Sequence, residues 1–272
     1  MRKLSELIVL IKGGGEVASG IAYRLHRSRF RVCLTEIQAP LAVCRGTCFS
    51  EAVFDGTKTI EGVTAELVPV SMEQVYRVWR SGNIPIVVDP ELSIKPKITP
   101  DVLVDAIMAK RETGIRITDA PLVIGVGPGF SAGKNVHLVI ESNHSNNLGK
   151  VILSGEAEAD TGEPVAIAGL TRERVLWAPE AGVFTTSKAI GDLVEADEVI
   201  AYIDEIPLKA PLSGMLRGLL RSGVKVLRNT KLIEVGPPVN DKSICLDIRD
   251  KIRAISGGVL EAIMMSLNTP EA

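Results

Sequence analysis

The first forty residues alternate between apolar runs and an amphipathic segment. Residues 7–11 (LIVLI) form a continuous apolar run of strand length, which is typical of a strand buried on both faces. After a glycine run, Val17, Ile21 and Leu25 recur at every fourth position, which predicts a helix with one apolar stripe. A second apolar run follows at 31–35. The pattern therefore predicts a strand–helix–strand unit.

The same alternation continues to about residue 113. Residues 65–70 and 84–89 have the apolar character of strands, and residues 72–80 and 100–113 are predicted helices. Thr99 before a proline is a typical helix start, because its hydroxyl can cap the first turn. Strands that alternate with helices predict a parallel sheet covered on both faces.

The last third of the chain contains a repeat with an offset of 32 residues. Each copy has the pattern A-P-x-x-G, an apolar run, a glycine turn, a second run and Asp or Asn. The matched pairs are 178–184 with 210–216, Gly191 with Gly223, Val194 with Val226, and Asp197 with Asn229. Two such halves resemble the barrel-sandwich hybrid of biotinyl and lipoyl domains.

A carrier domain of that kind needs a modified lysine in an exposed hairpin between its halves. Here residues 202–206 run almost directly into the second half, and Lys209 lies inside a predicted strand. We therefore expect neither biotin nor lipoate, and interpret the repeat as an interaction or ligand-covering module. Two helices are predicted after it, at 243–255 and 258–266.

These patterns predict an α/β fold with an N-terminal Rossmann-like parallel sheet, a β-rich barrel-sandwich hybrid (lipoyl/biotinyl-like) module and C-terminal helices. Four segments follow from this interpretation. They are a nucleotide-binding or cofactor-binding domain at 1–120, a glycine-rich loop with connecting strands at 121–170, the hybrid module at 171–238 and the terminal helices at 239–272.

Composition narrows the classes of function. The 272 residues are 46% hydrophobic and carry a formal net charge of −2, so bulk charge does not favour a nucleic acid or a membrane surface as partner. No apolar run has membrane-spanning length, and the basic-then-apolar start lacks a signal cleavage site. We therefore expect a cytoplasmic protein. The four cysteines are irregularly spaced and do not indicate a disulfide framework.

The glycine run after the first strand matches G-x-G-x-x-A through Gly13, Gly15 and Ala18, with Gly14 between the two glycines. The first glycine permits a tight turn, the second lets the backbone approach a phosphate, and the small Ala18 allows close helix–strand packing. Glu36 ends the second strand, where an acid would accept a hydrogen bond from a ribose hydroxyl. The motif predicts a pyrophosphate site, and an empty or repurposed cleft is the alternative.

The loop after Glu36 contains Cys44, Arg45 and Cys48. The two cysteines are open to interpretation as a thiol pair, a metal site or a sulfur-transfer relay. Two thiols cannot complete a structural zinc site, and buried cysteines that pack as small apolar residues are commoner. Arg45 is the better ligand candidate, as a fixed cation facing the phosphate cleft.

A second glycine-rich loop lies in residues 121–134, where a predicted strand is followed by Gly125, Gly127, Gly129 and Gly133. It is not a Walker A loop, because Asn135 stands where that motif requires Ser or Thr after Lys134. Glycines this frequent indicate positive-φ turns or close approach to a ligand. The predicted binding residues here are Asp119, Gly127, Gly129 and Gly133.

Three segments together resemble one known family. KGGGEVASGIAYRL, GVGPGFSAGKNVHLVIE and APLSGMLRGLLRSGVKV, in this order, are similar to the YqeB family of selenium-dependent molybdenum hydroxylase systems. The family is related through its Rossmann part to XdhC-type maturation proteins. The resemblance implies a cytoplasmic accessory protein that helps to mature or insert a molybdopterin-type cofactor. Its implied partners are molybdenum hydroxylase subunits and proteins of selenium and molybdenum cofactor pathways.

Three hypotheses remain open. In the first, the glycine motif and Glu36 hold a molybdopterin-type cofactor or its dinucleotide, and catalysis is not required. In the second, the same cleft serves an NAD(P)-dependent oxidoreductase, but no Tyr-x-x-x-Lys pair or well-placed histidine supplies a proton donor. In the third, the cleft is vacant and the chain is an adaptor. Whether selenium is handled directly, and whether the chain forms a homodimer, are not decided by the sequence.

Overall fold

The structure is a computed structural model that describes residues 3–109, 111–164, 166–239 and 241–268. The chain divides into two compact units. Unit 1 comprises Met1–Gln38, Phe49–Thr161 and Ile248–Ala272, and unit 2 comprises Ala39–Cys48 and Gly162–Asp247. The division differs from the four segments expected from the sequence, because the C-terminal helix groups with the first sheet and residues 39–48 group with the repeat.

Unit 1 contains a central sheet, a small strand pair and five helices among its described residues. The strands are β1 (Ile8–Lys12), β2 (Arg31–Glu36), β3 (Thr57–Ile60), β4 (Val63–Leu67), β5 (Ile84–Val88), β6 (Val102–Asp105), β7 (Leu122–Val126), β8 (Ser131–Ala132), β9 (Leu138–Ile140), β10 (Val151–Ile152) and β11 (Gly155–Glu156). The helices are α1 (Glu16–Arg27), α2 (Ala52–Asp55), α3 (Met72–Arg80), α4 (Lys95–Ile98) and α5 (Asp250–Leu267).

The nine-stranded sheet of unit 1 has the order β10-β9-β7-β6-β1-β2-β5-β4-β3. Both faces of β1 are buried, which explains its continuous apolar sequence. Val9 and Ile11 pack in a core cluster with residues of α1 and α5, whereas Ile8 and Leu10 pack in a second cluster with residues of α3 and α4.

The predicted fold class, a Rossmann-like parallel sheet followed by a barrel-sandwich hybrid and C-terminal helices, is wrong. The sheet of unit 1 is mixed, because β3 pairs antiparallel with β4 at one edge and β10 pairs antiparallel with β9 at the other. The turn at Glu61–Gly62 has only two residues, a length that joins antiparallel strands and cannot join parallel ones. The strands of unit 2 form two separate four-stranded antiparallel sheets.

Two predicted helical regions are also wrong. Residues 102–105 form strand β6 within the predicted helix 100–113, because this short apolar run lies fully buried between β1 and β7. The two predicted C-terminal helices are instead the single helix α5, which continues through Gly257 and Gly258. Gly258 lies against a backbone carbonyl, since a Cβ added there would be 1.9 Å from the oxygen of Gly149. These glycines therefore permit packing and do not end the helix.

Unit 2 contains eight described strands, and the 32-residue repeat relates the first four to the last four. They are β12 (Val175–Trp177), β13 (Gly182–Thr185), β14 (Leu193–Val194), β15 (Val199–Ile203), β16 (Ile206–Lys209), β17 (Gly214–Leu219), β18 (Val224–Val226) and β19 (Lys231–Gly236). One sheet has the order β12-β19-β17-β14 and the other β16-β15-β13-β18. Replacing each strand by its repeat equivalent converts one order into the other.

The turn residues of the repeat also correspond in conformation. Asp197 and Asn229 both have φ of +65°, and Gly191 and Gly223 have φ of +92° and +87°. These are left-handed conformations that Gly, Asn and Asp adopt most readily. The internal repeat is therefore a structural duplication.

No described helix combines the length and the apolar character that crossing a membrane would require.

Candidate functional site

The strand order of unit 1 reverses at β1, which lies between β2 and β6. In open α/β sheets, ligands bind outside the carboxyl ends of the strands at such a point. A cavity of about 410 Å³ lies there, and we call it the switch-point cavity. Its lining comes from the ends of β1 and β2 and from the segments that follow β5 and β6, and it includes Lys12, Gly13, Thr35, Glu36, Glu91, Ile107, Arg111, Glu112 and Thr113.

The first glycine loop brings Gly13 into this lining. Gly13 has φ of +107°, and its amide donates to the carbonyl of Thr35 at 2.9 Å. Gly15 precedes α1 with φ of −68°, and a Cβ added there would meet no atom within 4 Å. Ala18 is fully buried in α1. The backbone conformation therefore favours glycine at Gly13, whereas Gly15 borders open space that could admit a ligand.

Glu36 holds this glycine loop in place. Its Oε2 accepts a hydrogen bond from the Gly14 amide and its Oε1 one from the Ile37 amide, both at 2.8 Å. Burial raises the pKa of Glu36, and the hydrogen bonds from the Ile37 and Gly14 amides oppose that rise. The carboxylate thus stabilises the loop, so the Gly14 amide is not available to a phosphate. The remaining lone pairs of the carboxylate can still accept from a ligand hydroxyl.

A second polar cluster, centred on the buried Asp105 beside the cavity, was missed by the sequence analysis. Asp105 at the end of β6 accepts from the Thr113 hydroxyl at 2.6 Å and from the Ile107 amide at 3.2 Å. Lys12 at the end of β1 donates to the Thr113 carbonyl at 2.9 Å. Burial raises the pKa of Asp105, while these hydrogen bonds and the charge of Lys12 act in the opposite direction. The sequence feature that could have indicated Asp105 is an acid at the end of a buried apolar run. The helix predicted for 100–113 placed this residue inside a helix instead.

Thr35 adds a polar atom that lacks a partner. The residue is 1% exposed, and its hydroxyl has no hydrogen-bond partner among the described residues. Buried polar groups are normally hydrogen-bonded, so an orphaned hydroxyl in a cavity wall indicates a site for a ligand or water.

The charged groups of the cavity are unequal in number. Lys12 and Arg111 are the cations of its described lining, and Glu36, Glu91 and Glu112 are the carboxylates. Carboxylates accept hydrogen bonds and repel anions. This balance favours a ligand that presents several hydroxyl, amino or ring N–H donors and few negative charges.

The second glycine loop supports the segment after β6. Gly127 and Gly129 have φ of +78° and +101°. An added Cβ at Gly127 would be 3.2 Å from Cε of Met108, and one at Gly129 would be 2.9 Å from the Arg111 amide nitrogen. Gly133, with φ of +80°, borders open space. None of these three glycines is among the described residues that line the switch-point cavity, so their effect on it is through the loop they contact.

Asp119, the other residue predicted in this region, is held in a structural contact. It forms an ion pair with Lys95 and accepts a hydrogen bond from the Arg116 amide at 2.7 Å. Partial burial opposes the effect, but these contacts hold the pKa of Asp119 below its ordinary value. Asp119 is not part of the described cavity lining.

The remaining predicted residues belong to unit 2. Nε of Arg45 donates to the Leu219 carbonyl at 2.7 Å. Sγ of Cys48 donates to the Cys44 carbonyl at 3.0 Å, and both cysteines are buried. Among the described residues, no group of three or more His, Cys, Asp or Glu side chains is placed to hold a metal ion.

The chain is similar to one curated protein over most of its length. It is 44% identical over 261 residues to uncharacterized protein YqeB from Escherichia coli (strain K12). The alignment covers 96% of this chain and 48% of that protein, so the chain spans about half the length of the curated relative it matches. This similarity supports the resemblance to the YqeB family, while no protein-family model matches the chain.

Solved structures give only weak similarity. The ectoine utilization protein EutE (DoeB) from Ruegeria pomeroyi shows 12% identity with 85% of each chain covered and a TM-score of 0.25. An aspartoacylase family protein from Mesorhizobium loti shows 13% identity with 87% of each chain covered and a TM-score of 0.27. TM-scores this low do not establish a common fold.

Proposed function

We propose that unit 1 binds the nucleotide or pterin portion of a molybdopterin-type cofactor in the switch-point cavity. The chain would then act as an accessory protein in the maturation or insertion of that cofactor into a molybdenum hydroxylase. The observation that carries the binding step is the orphaned hydroxyl of Thr35 in a cavity at the point of strand reversal, beside Glu36 and the glycine loop.

The chemistry of the lining suits such a ligand. Ribose hydroxyls and the amino and ring N–H groups of a pterin are donors, which three carboxylates can accept. Lys12 and Arg111 offer positions for a phosphate. The volume of about 410 Å³ lies in the lower half of the range of roughly 300–1,000 Å³ for small-molecule sites, which favours one portion of a dinucleotide.

The pathway part of the proposal rests on what the resemblance of the three sequence segments to the YqeB family implies. The proposed partners are molybdenum hydroxylase subunits and proteins that deliver molybdenum or selenium. In this role the chain binds and orients the cofactor. Glu36 and Thr35 would fix its orientation by hydrogen bonds, and no reaction step by the chain is required.

The direct test is to identify what the protein carries. The chain is purified from a host that makes molybdenum cofactor and then denatured. Released small molecules are identified by mass spectrometry, with molybdenum and selenium quantified in parallel. A pterin at near-stoichiometric amount supports the proposal. NAD(P) alone would contradict it in favour of an oxidoreductase, and an empty protein would contradict it in favour of an adaptor.

Two variants test whether the ligand extends from the switch-point cavity to Gly15, which follows the lining residue Gly13 but is not in the described lining. Gly15→Val should abolish co-purification of the ligand, because the new side chain enters the open space, while φ of −68° is compatible with valine. Gly257→Val is the matched control, since it also places a side chain in open space in unit 1 but on α5. Equal ligand content in both variants would exclude a ligand contact at Gly15.

Thr35→Val separates a ligand contact from a packing defect. The change removes the orphaned hydroxyl and keeps the shape of the side chain. We expect affinity to fall about 2- to 12-fold, the scale of one neutral hydrogen bond, with no loss of folding stability. Unchanged affinity in calorimetric titration would show that the hydroxyl does not contact the ligand.

A further inference from the structure

A second cavity of unit 1 lies at the opposite ends of the same strands. It has a volume of about 380 Å³ and is formed by the end of α1, the start of β2, the end of α3 and the residues before β5. We call it the arginine cavity, after the side chains that dominate its lining. The residues that matter here are His26, Arg29, Arg31, Tyr76, Trp79 and Arg80.

The lining of this cavity is basic. It contains three arginines and one histidine, and no carboxylate is among its described residues. The nearest acid along the chain is Glu6, whose carboxylate accepts a hydrogen bond from the Lys3 amide. Arg29 and Arg80 are exposed, and neither side chain has an ion-pair partner among the described residues. The cavity therefore has positive charge that the chain does not neutralise locally.

Aromatic rings form another part of the wall. Tyr76 and Trp79 pack edge to face, with centroids 5.1 Å apart and an interplanar angle of 77°. The indole N–H of Trp79 donates to the Val32 carbonyl at 2.7 Å, which fixes the ring orientation. The Arg31 guanidinium lies over the Tyr76 ring, 5.9 Å from its centroid. Planar apolar surface is therefore held rigidly beside the cationic groups.

The pKa of His26 depends on the charge around the arginine cavity. Burial lowers its pKa, and the positive charges of Arg29 and Arg27 lower it further. Burial and the charge of Arg29, a cavity residue that would attract an anion, thus both disfavour the charged imidazole. An anion bound among them would reverse this effect and raise the pKa of His26.

We propose that the arginine cavity binds a nucleoside phosphate, with the phosphate between Arg29 and Arg80 and the base against the Trp79 ring. Guanidinium groups bind phosphate through charge-assisted hydrogen bonds, and aromatic rings bind bases by stacking. The described lining of the switch-point cavity holds three carboxylates and two cations, whereas that of the arginine cavity holds no carboxylate. The arginine cavity is therefore a separate site, and its existence does not depend on the proposed function of the other.

The probes are AMP, adenosine and inorganic phosphate, titrated into the full chain at low salt. The imidazole signals of His26 are followed by NMR, and affinity is measured by calorimetry. AMP should raise the pKa of His26 and bind at least about tenfold more tightly than adenosine or phosphate, because only AMP uses both the cations and the ring. Equal binding of AMP and phosphate would overturn the nucleoside assignment, and an unchanged His26 signal would overturn the site.

Variants complete the test. Arg29→Asn removes the charge and tolerates the left-handed φ of +73° at that position, and Arg80→Gln removes the second cation. Each should weaken AMP binding about tenfold or more. Arg228→Gln removes one positive charge in the same way from an exposed arginine of unit 2. It is the control and should have no effect on AMP binding. Gly15→Val should also leave the His26 response intact, which distinguishes this cavity from the switch-point cavity. AMP affinity unchanged in both arginine-cavity variants would refute the proposal.

Discussion

Two consecutive glycines in helix α5 should respond to alanine in opposite directions. At Gly257 an added Cβ meets no atom within 4 Å. At Gly258 it would lie 1.9 Å from the Gly149 carbonyl oxygen and 2.9 Å from its carbon. Because both glycines lie in the interior of one helix, intrinsic helix propensity affects them equally. The difference between the variants therefore measures the contact of α5 with the turn at Gly149.

The magnitudes follow from these distances. Alanine in place of glycine stabilises a helix interior by roughly 0.5–1 kcal/mol, and Gly257→Ala should gain this amount. At Gly258 the new atom must move more than 1 Å to reach even 3.0 Å, below which Cβ contacts are essentially never seen. Since the contacted atoms are backbone, overpacking of about 1–3 kcal/mol exceeds the gain in propensity. Because the gain in propensity is common to both, the two variants should differ in their free energy of unfolding by the overpacking cost of about 1–3 kcal/mol.

Urea unfolding of the full chain measures this difference. The chain has two tryptophans, Trp79 in unit 1 and Trp177 in unit 2. In a Trp177→Phe background, the fluorescence of Trp79 reports the unfolding of unit 1 alone. Equal free energies of unfolding for Gly257→Ala and Gly258→Ala would refute the reasoning, because α5 could not then be packed against the turn at Gly149.

Three further predictions concern charge, thiols and unit 2. Burial raises the pKa of Asp105 above its ordinary value of about 3.9, so the folded chain should lose stability as pH rises through that raised pKa. Asp105→Asn should remove this loss of stability in urea titrations between about pH 4 and 7. All four cysteines are buried, so a thiol reagent should modify none in the native chain and four after denaturation. A Cβ at Gly46 would be 2.3 Å from the Cys245 carbonyl oxygen, so Gly46→Ala should destabilise unit 2 by about 1–3 kcal/mol, measured by Trp177 fluorescence in a Trp79→Phe background.

Several features could be predicted from the sequence because they depend on residues close together in the chain. Helix α3 has the predicted bounds, since the amphipathic pattern of Met72–Arg80 is a local signal. The 32-residue repeat indicated two related halves, because the similar turn chemistry of Asp197 and Asn229 favours the same left-handed conformation. The strand, glycine turn and helix at the start of the chain are recognisable for the same reason.

The errors lie where partners distant in sequence decide the conformation. The short run at 102–105 is ambiguous between helix and strand by pattern alone, and its position between β1 and β7 makes it a strand. The glycines of α5 predicted a break, but close packing against Gly149 retains the helix. Antiparallel pairing at both edges of the sheet likewise depends on chain reversals that helix–strand alternation does not reveal.

The candidate site also combines features that a local motif indicates with features that only distant contacts produce. Gly13 and Glu36 could be found from the sequence, because a local motif places them at the ends of adjacent strands. Lys12 and Thr113, separated by 101 positions, contact each other only because β1 and β6 are neighbours in the sheet. The orphaned hydroxyl of Thr35, the basic lining around Arg29 and the grouping of Arg45 with unit 2 have no local signal. Local periodicity and turn chemistry determine which elements form, whereas the burial and charge of a site depend on which distant elements pack together.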